Sequence, residues 1–305
     1  MRRWFVLSHL LALAVAAGAP AAGPEDGGRW WTALLGRGEC DVKSDIVYAR
    51  PGERKLLLDA YVPKASGPFP AVLVVHGGAW ASGNRRQLSG IARALAVAGY
   101  AAFAIDYRLA PKDRFPAQIE DCRSAVRWIV DNAGKYKVDA GRLGAIGYSA
   151  GGHLVAMLAA QGVEQKTPKK TRTIRLKAAA AGGAPCDFRS LPLDANYLAY
   201  WLGGTRRQKP GLYVEASPAA FVGPSASPVF FYHGEDDLIV RPASARAMAA
   251  ALRKIKVEAE FHLVKGAGHI GAAVNRDALA RAVRFLGKHL KPDETDTGEG
   301  KGPSK

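Results

Sequence analysis

The sequence predicts an α/β domain built on a mostly parallel, doubly wound sheet, and three observations carry that prediction. Strand-like and helix-like runs alternate from Leu56 onward. The 305 residues supply one domain of the larger kind, with ample chain for a buried sheet. Finally, Gly147-Tyr148-Ser149-Ala150-Gly151 stands between an apolar run and a helix-like one, which places a serine where a strand reverses sharply into a helix. No internal repeat is visible.

Residues 70–75 form a continuous apolar run suited to a strand buried on both faces, and it delivers His76-Gly77-Gly78-Ala79-Trp80. Residues 101–105 make the next strand and lead into Asp106-Tyr107-Arg108-Leu109-Ala110-Pro111. Phe115-Pro116-Ala117 opens a helix that runs to Asn132. The serine is preceded by a strand at 143–146 and followed by a helix at 152–160, rich in Ala, Leu and Met. A short aromatic-rich strand at 228–232 ends in His233-Gly234-Glu235-Asp236-Asp237. Another, at 257–264, is followed by the flexible loop Lys265-Gly266-Ala267-Gly268-His269 and a last helix at 274–290. Residues 187–221 form a short cap-like insertion ahead of the strand at 228–232.

Small residues at Gly147, Ala150, Gly151 and Gly152 let the backbone turn tightly without a Cβ clash, so the Ser149 hydroxyl stands clear of the sheet edge. The helix N-terminus behind it favours developing negative charge. A serine hydroxyl is a poor nucleophile at neutral pH and needs a base, itself oriented by a carboxylate. Of the seven histidines, His9 lies in a leader segment, His153 and His262 sit within a helix and a strand, and His289 closes the final helix. His76 and His233 begin Gly-containing turns that they are suited to shape, which leaves His269 as the base. Glu235, Asp236 and Asp237 compete for the carboxylate. Backbone N–H groups crowd a substrate carbonyl only where side chains are small, so those of Gly78, Ala79 and Ala150 are the candidate oxyanion donors, each worth about 3 to 4 kcal/mol.

Together these motifs resemble α/β-hydrolase carboxylesterases and lipases, close to the hormone-sensitive-lipase-like esterases and to acetylxylan and feruloyl esterases. The resemblance spans residues 48–290. It favours Asp237 as the acid, because the four-residue step from His233 and the following Leu238-Ile239-Val240 match the loop of known hydrolases. Ser149, Asp237 and His269 then follow one another in the chain order of the α/β-hydrolase triad. The resemblance implies a serine esterase that works through an acyl-enzyme with no metal or cofactor. Asp106, Tyr107 and Arg108 are implied as braces of the oxyanion loop, and Asp121 as a structural carboxylate. Ala79 stands where the family commonly has a third glycine, which narrows the permitted backbone angles. Trp80 is similar to its counterpart in esterases of plant cell-wall esters and in arylformamidases.

Trp80, Tyr148 and Trp201 are candidate walls of a pocket for a sugar ring or phenolic acid. The helical spacing of Tyr197, Tyr200 and Trp201 equally suits a cap pinned to the core. Short-acyl esters, such as acetylated or feruloylated carbohydrate, are the expected substrates by analogy. Two rival readings use the same residues: an amide hydrolase of the arylformamidase or peptidase type, and a catalytically silent binding module.

Residues 1–22 have the charged, apolar and small-residue parts of a cleavable signal peptide, which implies a secreted or periplasmic protein; an uncleaved anchor is the alternative. Residues 23–44 are an N-terminal segment, 45–290 the hydrolase domain, and 291–305 a tail whose composition reads as disordered. Cys40, Cys122 and Cys186 are too few and too scattered for a disulfide framework or a zinc site. The formal net charge is +16, and much of the excess clusters at Lys166, Lys169, Lys170, Arg172, Arg175 and Lys177, with Arg206, Arg207 and Lys209 in the cap. That run is either a solvated face or a surface attracted to anionic cell-wall polymer. Without interleaved aromatic residues it does not support nucleic-acid binding.

Overall fold

The apolar run of the first parallel strand is buried along its whole length because helices cover the sheet on both sides. A computed structural model describes residues 39–167 and 170–291. In chain order the sheet begins with β1 (Cys40–Ala49), β2 (Leu56–Pro63) and β3 (Phe69–Val75). Next come α1 (Ser89–Val97), β4 (Ala101–Ile105), α2 (Ala117–Asp131), β5 (Val138–Tyr148) and α3 (Ala150–Gln161). A separate two-stranded hairpin, β6 (Val163–Lys166) and β7 (Thr171–Ile174), precedes β8 (Ala178–Gly182). The cap carries two short helices, α4 (Ala199–Leu202) and α5 (Pro210–Glu215). The chain then forms β9 (Val229–Gly234), α6 (Ala243–Lys254), β10 (Ala259–Val264), α7 (His269–Ala273) and α8 (Arg276–Leu290).

The main sheet has the order β1-β2-β4-β3-β5-β8-β9-β10. β2 is antiparallel to both of its neighbours, and every pairing from β4 to β10 is parallel. Alternation along the strands divides the core into two layers. Ala71, Leu73 and Val75 face the side covered by α2, α3 and α6, while Val72 and Val74 face the side covered by α1 and α8. Parallel strands end at a common rim, where loops from β3, β5, β9 and β10 gather, and this is where open α/β sheets bind ligands.

Several elements differ from the sequence expectation. The last predicted helix, 274–290, begins anew at Asn275, whose side-chain oxygen accepts from Ala278 N at 2.9 Å as an N-cap. The separate helix α7 then starts on His269 itself. The helix after the serine begins at Ala150, directly behind it, and not at Gly152. Strand β1 begins at Cys40, so the sheet takes in the end of the segment assigned to 23–44. The β6–β7 hairpin was not predicted; its polar, basic strands carry little of the apolar alternation that marks a half-buried strand. All three cysteines are free thiols. The leader at 1–22, Lys169 and residues 292–305 lie outside the described residues. Among the described residues no helix is long and apolar enough to cross a membrane.

One buried cation ties the antiparallel edge to the rim. Arg85 lies in a short 3-10 turn (Arg85–Leu88) and is 7% exposed. Its Nε donates to Asp59 Oδ1 at 2.8 Å and its Nη1 to Asp106 Oδ2 at 2.5 Å, while Nη2 pairs with Asp45. Its backbone N–H donates to Asp106 Oδ1 at 2.7 Å. A guanidinium in this place satisfies carboxylates from β1, β2 and the end of β4 at once. Replacing it strands the buried Asp59, so Arg85→Met is expected to lower stability by about 3 to 5 kcal/mol in urea unfolding. An unchanged midpoint would show that the carboxylates are satisfied without it.

Candidate active site

The serine turn is built where three backbones nearly touch. Ser149 has φ 56° and ψ −122°, a conformation that a β-carbon strains. A Cβ on Gly151 would lie 2.1 Å from Val75 O, one on Gly147 2.5 Å from Gly151 O, and one on Gly152 2.4 Å from Gly182 O. Only glycine fits at these positions, so the ends of β3, β5 and β8 close on the start of α3. Ser149 N–H donates to Gly182 O at 2.8 Å, which holds the turn against β8.

The acid and base arrive on two loops that grip each other. Asp236 N–H donates to Ala267 O at 3.0 Å, Gly266 N–H donates to Glu235 Oε2 at 3.1 Å, and a Cβ on Gly234 would lie 2.3 Å from Ala267 O. Glu235 and Asp236 are exposed, whereas Asp237 is buried. Its Oδ2 accepts from His269 Nδ1 at 2.6 Å, and its Oδ1 accepts from the N–H groups of Ile239 at 3.0 Å and Val240 at 2.8 Å. Burial pushes the Asp237 carboxyl up, but the His269 bond and charge and the Val240 N–H outweigh it and hold the group below the ordinary carboxylate range. With Nδ1 donating, the second imidazole nitrogen of His269 is left as an acceptor. That Nε2 atom is buried and makes no hydrogen bond among the described residues, to Ser149 or any other. Hydrogen bonds of this kind commonly close only when substrate is bound. Tyr148, the residue before the serine, donates its hydroxyl to His269 O at 2.5 Å and lays its ring 5.1 Å from the imidazole.

The loop after β3 supplies the other side of the rim. Gly77 O accepts from His76 Nδ1 at 2.7 Å and from the Tyr107 hydroxyl at 3.4 Å, and the Tyr107 ring stacks on His76 at 4.2 Å. Gly78 O accepts from Ala81 N at 3.0 Å and Ser82 N at 2.9 Å. In a trans peptide C=O and N–H point opposite ways, so pinning these two carbonyls aims the N–H groups of Gly78 and Ala79 away from them. Neither N–H donates to another group among the described residues. The N–H of Ala150, the first of α3, is one of the donors a helix leaves unpaired. A Cβ on Gly77 would come 3.0 Å from Tyr148 O, which places this loop directly against the serine turn. Ala79 at φ 51° and Trp80 at φ 57° are two successive left-handed residues, a strain of about 1 to 2 kcal/mol each.

The three pocket candidates fare differently. Trp201 has no exposed surface at all and lines no pocket; it stacks on Trp80 at 3.7 Å and 1° and donates its indole N–H to Gln118 Oε1 at 3.0 Å. An indole this deep is stabilised because its ring finds aromatic partners and its N–H an acceptor in the core. Trp80, 4% exposed, donates Nε1–H to His153 Nδ1 at 3.2 Å, and His153 Nε2–H donates to Ala216 O at 2.7 Å. These contacts pin the cap to the loop after β3. Tyr148 turns its hydroxyl inward to the His269 carbonyl, as described. Sequence reasoning missed His153 as a partner of Trp80; no local signal marks a helical histidine as reaching a tryptophan 73 positions away. Arg108 binds Asp121 through both carboxylate oxygens, at 2.7 to 3.0 Å. Among the described residues no group of three His, Cys, Asp or Glu is placed to hold a metal ion.

The profile of the BD-FAE family matches residues 58–252. The chain is 31% identical over 260 residues to the esterase LipQ of Mycobacterium tuberculosis, an alignment covering 80% of this chain and 62% of LipQ. It therefore spans less than two thirds of that relative's length. Among solved structures, the thermophilic esterase Est2 of Thermogutta terrifontis with propionate bound superposes with a TM-score of 0.69 at 25% identity, covering 83% of this chain and 96% of Est2. A bifunctional GH43-CE protein of Bacteroides eggerthii gives 0.72 at 26% identity, covering 82% of this chain and 35% of that one. The fold is that of the α/β-hydrolases.

Three imidazoles in and around the site are kept neutral. Burial pushes His76, His153 and His233 down to about 4, against the opposing pull of Gly77 O, Ala216 O and the Asp237 charge respectively. The unfolded chain protonates these groups below about pH 6.5. Between pH 6.5 and 4 the unfolded state thus binds more protons, so stability falls as pH falls across that window and this contribution levels off beneath it. Urea midpoints measured from pH 7 to 4.5 are expected to drop, with a shallower slope in His233→Gln. A flat midpoint would mean that the folded protein protonates these groups as readily as the unfolded chain.

Proposed function

The chain belongs to the BD-FAE family, and from that premise we propose that it is a serine carboxylic-ester hydrolase. Ser149 is the nucleophile, His269 the general base and acid, Asp237 the carboxylate that orients it, and the N–H groups of Gly78, Ala79 and Ala150 the oxyanion hole. The observation that carries this reading is the 2.6 Å bond from His269 Nδ1 to a buried carboxylate, in a loop held beside a left-handed serine.

In this reaction His269 Nε2 takes the Ser149 proton as Oγ attacks the ester carbonyl. The imidazolium that forms is stabilised by Asp237, which stays ionised because its carboxyl is held low. The tetrahedral oxyanion is met by N–H groups already aimed outward, which need no reorganisation as charge develops. His269 then gives its proton to the leaving alcohol, and water repeats the sequence to release the acyl group from Ser149.

Short acyl groups are the proposed substrates. The propionate in the Thermogutta esterase supports this choice, as does a cap whose tryptophan is wholly buried in its own anchoring. The proposed ester is an acetylated or feruloylated carbohydrate, in which a sugar hydroxyl is the leaving alcohol. Export through the 1–22 leader, and contact of the basic surface with anionic polymer, complete the proposal.

Ser149→Ala is expected to reduce kcat on p-nitrophenyl acetate by at least about 10⁴-fold and Asp237→Asn by about 10³ to 10⁴-fold, both with a folded protein. A fluorophosphonate should label the wild type and not Ser149→Ala. Full turnover by Ser149→Ala would end the proposal, and an unlabelled wild type would favour a binding module.

A further inference from the structure

Two of the proposed oxyanion donors sit on a turn that its own residues do not favour, and two of the groups holding it there come from the cap. Ala79 and Trp80 both occupy positive φ, a region unfavourable to residues with a Cβ. Tyr200, on α4, donates its hydroxyl to Ala79 O at 2.7 Å. The next residue, Trp201, lies flat against Trp80. Trp201 is in turn fixed on the domain, since its carbonyl accepts from Phe115 N at 3.0 Å and its indole reaches Gln118 on α2. Trp80 O accepts from Ala110 N at 2.9 Å, which holds the far side of the turn. The hydroxyl of Tyr200 is therefore presented by a rigid base to one carbonyl of a strained turn.

We propose that Tyr200 is a positioning residue of the oxyanion hole, seated by Trp201. It holds the Ala79–Trp80 turn left-handed so that the N–H groups of Gly78 and Ala79 stay aimed at the reacting carbonyl. Tyr200 touches no reacting atom and acts through the Ala79 carbonyl and the turn it belongs to. The Ser82 N–H on Gly78 O fixes the turn from one end, and the Tyr200 hydroxyl on Ala79 O fixes it from the other. With that hydroxyl removed, the turn relaxes toward negative φ, the bonds from Ala81 and Ser82 N–H to Gly78 O loosen, and the Gly78–Ala79 peptide that carries the Ala79 N–H rotates out of line. The loss falls on the transition state, where the oxyanion is fully charged, and hardly on substrate binding.

The inference rests on the esterase reading, and the test separates the two. Hydrolysis of p-nitrophenyl acetate is measured for the wild type, Tyr200→Phe, Ala79→Gly and the double variant, with active sites counted by fluorophosphonate titration. Inhibition by an aryl trifluoromethyl ketone, whose serine adduct carries an oxyanion, is measured alongside. Tyr200→Phe is expected to lower kcat per titrated site by about tenfold, with KM within about twofold, and to weaken the ketone by the same factor. Glycine relieves the positive-φ strain, so in the Ala79→Gly background the effect of Tyr200→Phe should shrink to less than about threefold. Unchanged turnover per site in Tyr200→Phe, whether or not the urea midpoint falls, overturns the proposal. So does an equal or larger loss in the Ala79→Gly background. A wild type that neither labels nor turns over ends the esterase reading, and this inference with it.

Discussion

The close approach of backbone to backbone at one rim of the sheet is the constraint on which the remaining geometry depends. Gly147 and Gly151 meet across the serine turn, Gly151 meets the last carbonyl of β3, and Gly152 meets the last carbonyl of β8. None of these gaps admits a β-carbon. Because the gaps are so small, the position of Ser149 is set by three strands at once and cannot drift with any single loop. The same closeness brings Gly77 against Tyr148 O, so the loop after β3 inherits its register from the serine turn. A site of this kind is assembled from main chain, which is stiff, with side chains added only for proton transfer.

Around that rim the protein separates its histidines by their partners. His76 and His153 each bond a backbone carbonyl in the interior and are held neutral by burial; His233 is equally enclosed, beside Asp237, and is held neutral as well. His269 is as buried as these but is joined to a carboxylate kept ionised, so a proton arriving on its free nitrogen meets a compensating charge. Burial thus holds the other three imidazoles neutral, and of the four His269 is the one hydrogen-bonded to a carboxylate. Trp80 fixes the tautomer of His153, since its indole N–H must find an acceptor on Nδ1. That imidazole serves structure, linking the loop after β3, α3 and the cap.

Much of this was legible in the chain because it depends on residue size and order. Glycine spacing announced the serine turn, and the apolar run ending in His76-Gly77-Gly78 announced the loop beside it. The strands mattered most where both faces are buried, as in β3, because a continuous apolar run leaves little alternative. What escaped was long-range and polar. Arg85 reads as one more surface cation beside Arg86, yet carboxylates up to 40 positions away converge on it. The break before Asn275 depends on a single side-chain cap, which an unbroken amphipathic pattern conceals. Trp201 and Tyr200 were legible only as an aromatic cluster with helical spacing. Their spacing could not say which of them faces inward, and that choice decides whether the cap forms a wall or an anchor.

That last distinction bears on how a short cap works. A lid that lines a large acyl pocket needs apolar side chains turned toward the cleft. Here Phe115, Phe188 and Trp201 turn instead toward one another and toward Trp80, with ring centroids 3.7 to 6.1 Å apart. Aromatic pairs at these distances stabilise the cap beyond the area they bury, and they place its root on the strained Ala79–Trp80 turn. The Ala79–Trp80 conformation is unfavourable by itself, and a stacked tryptophan pair is a large, directional interaction with which to hold it. Phe188 and Trp201 of the cap are engaged in that contact, so they add rigidity to the rim where a longer insertion would add volume to the pocket.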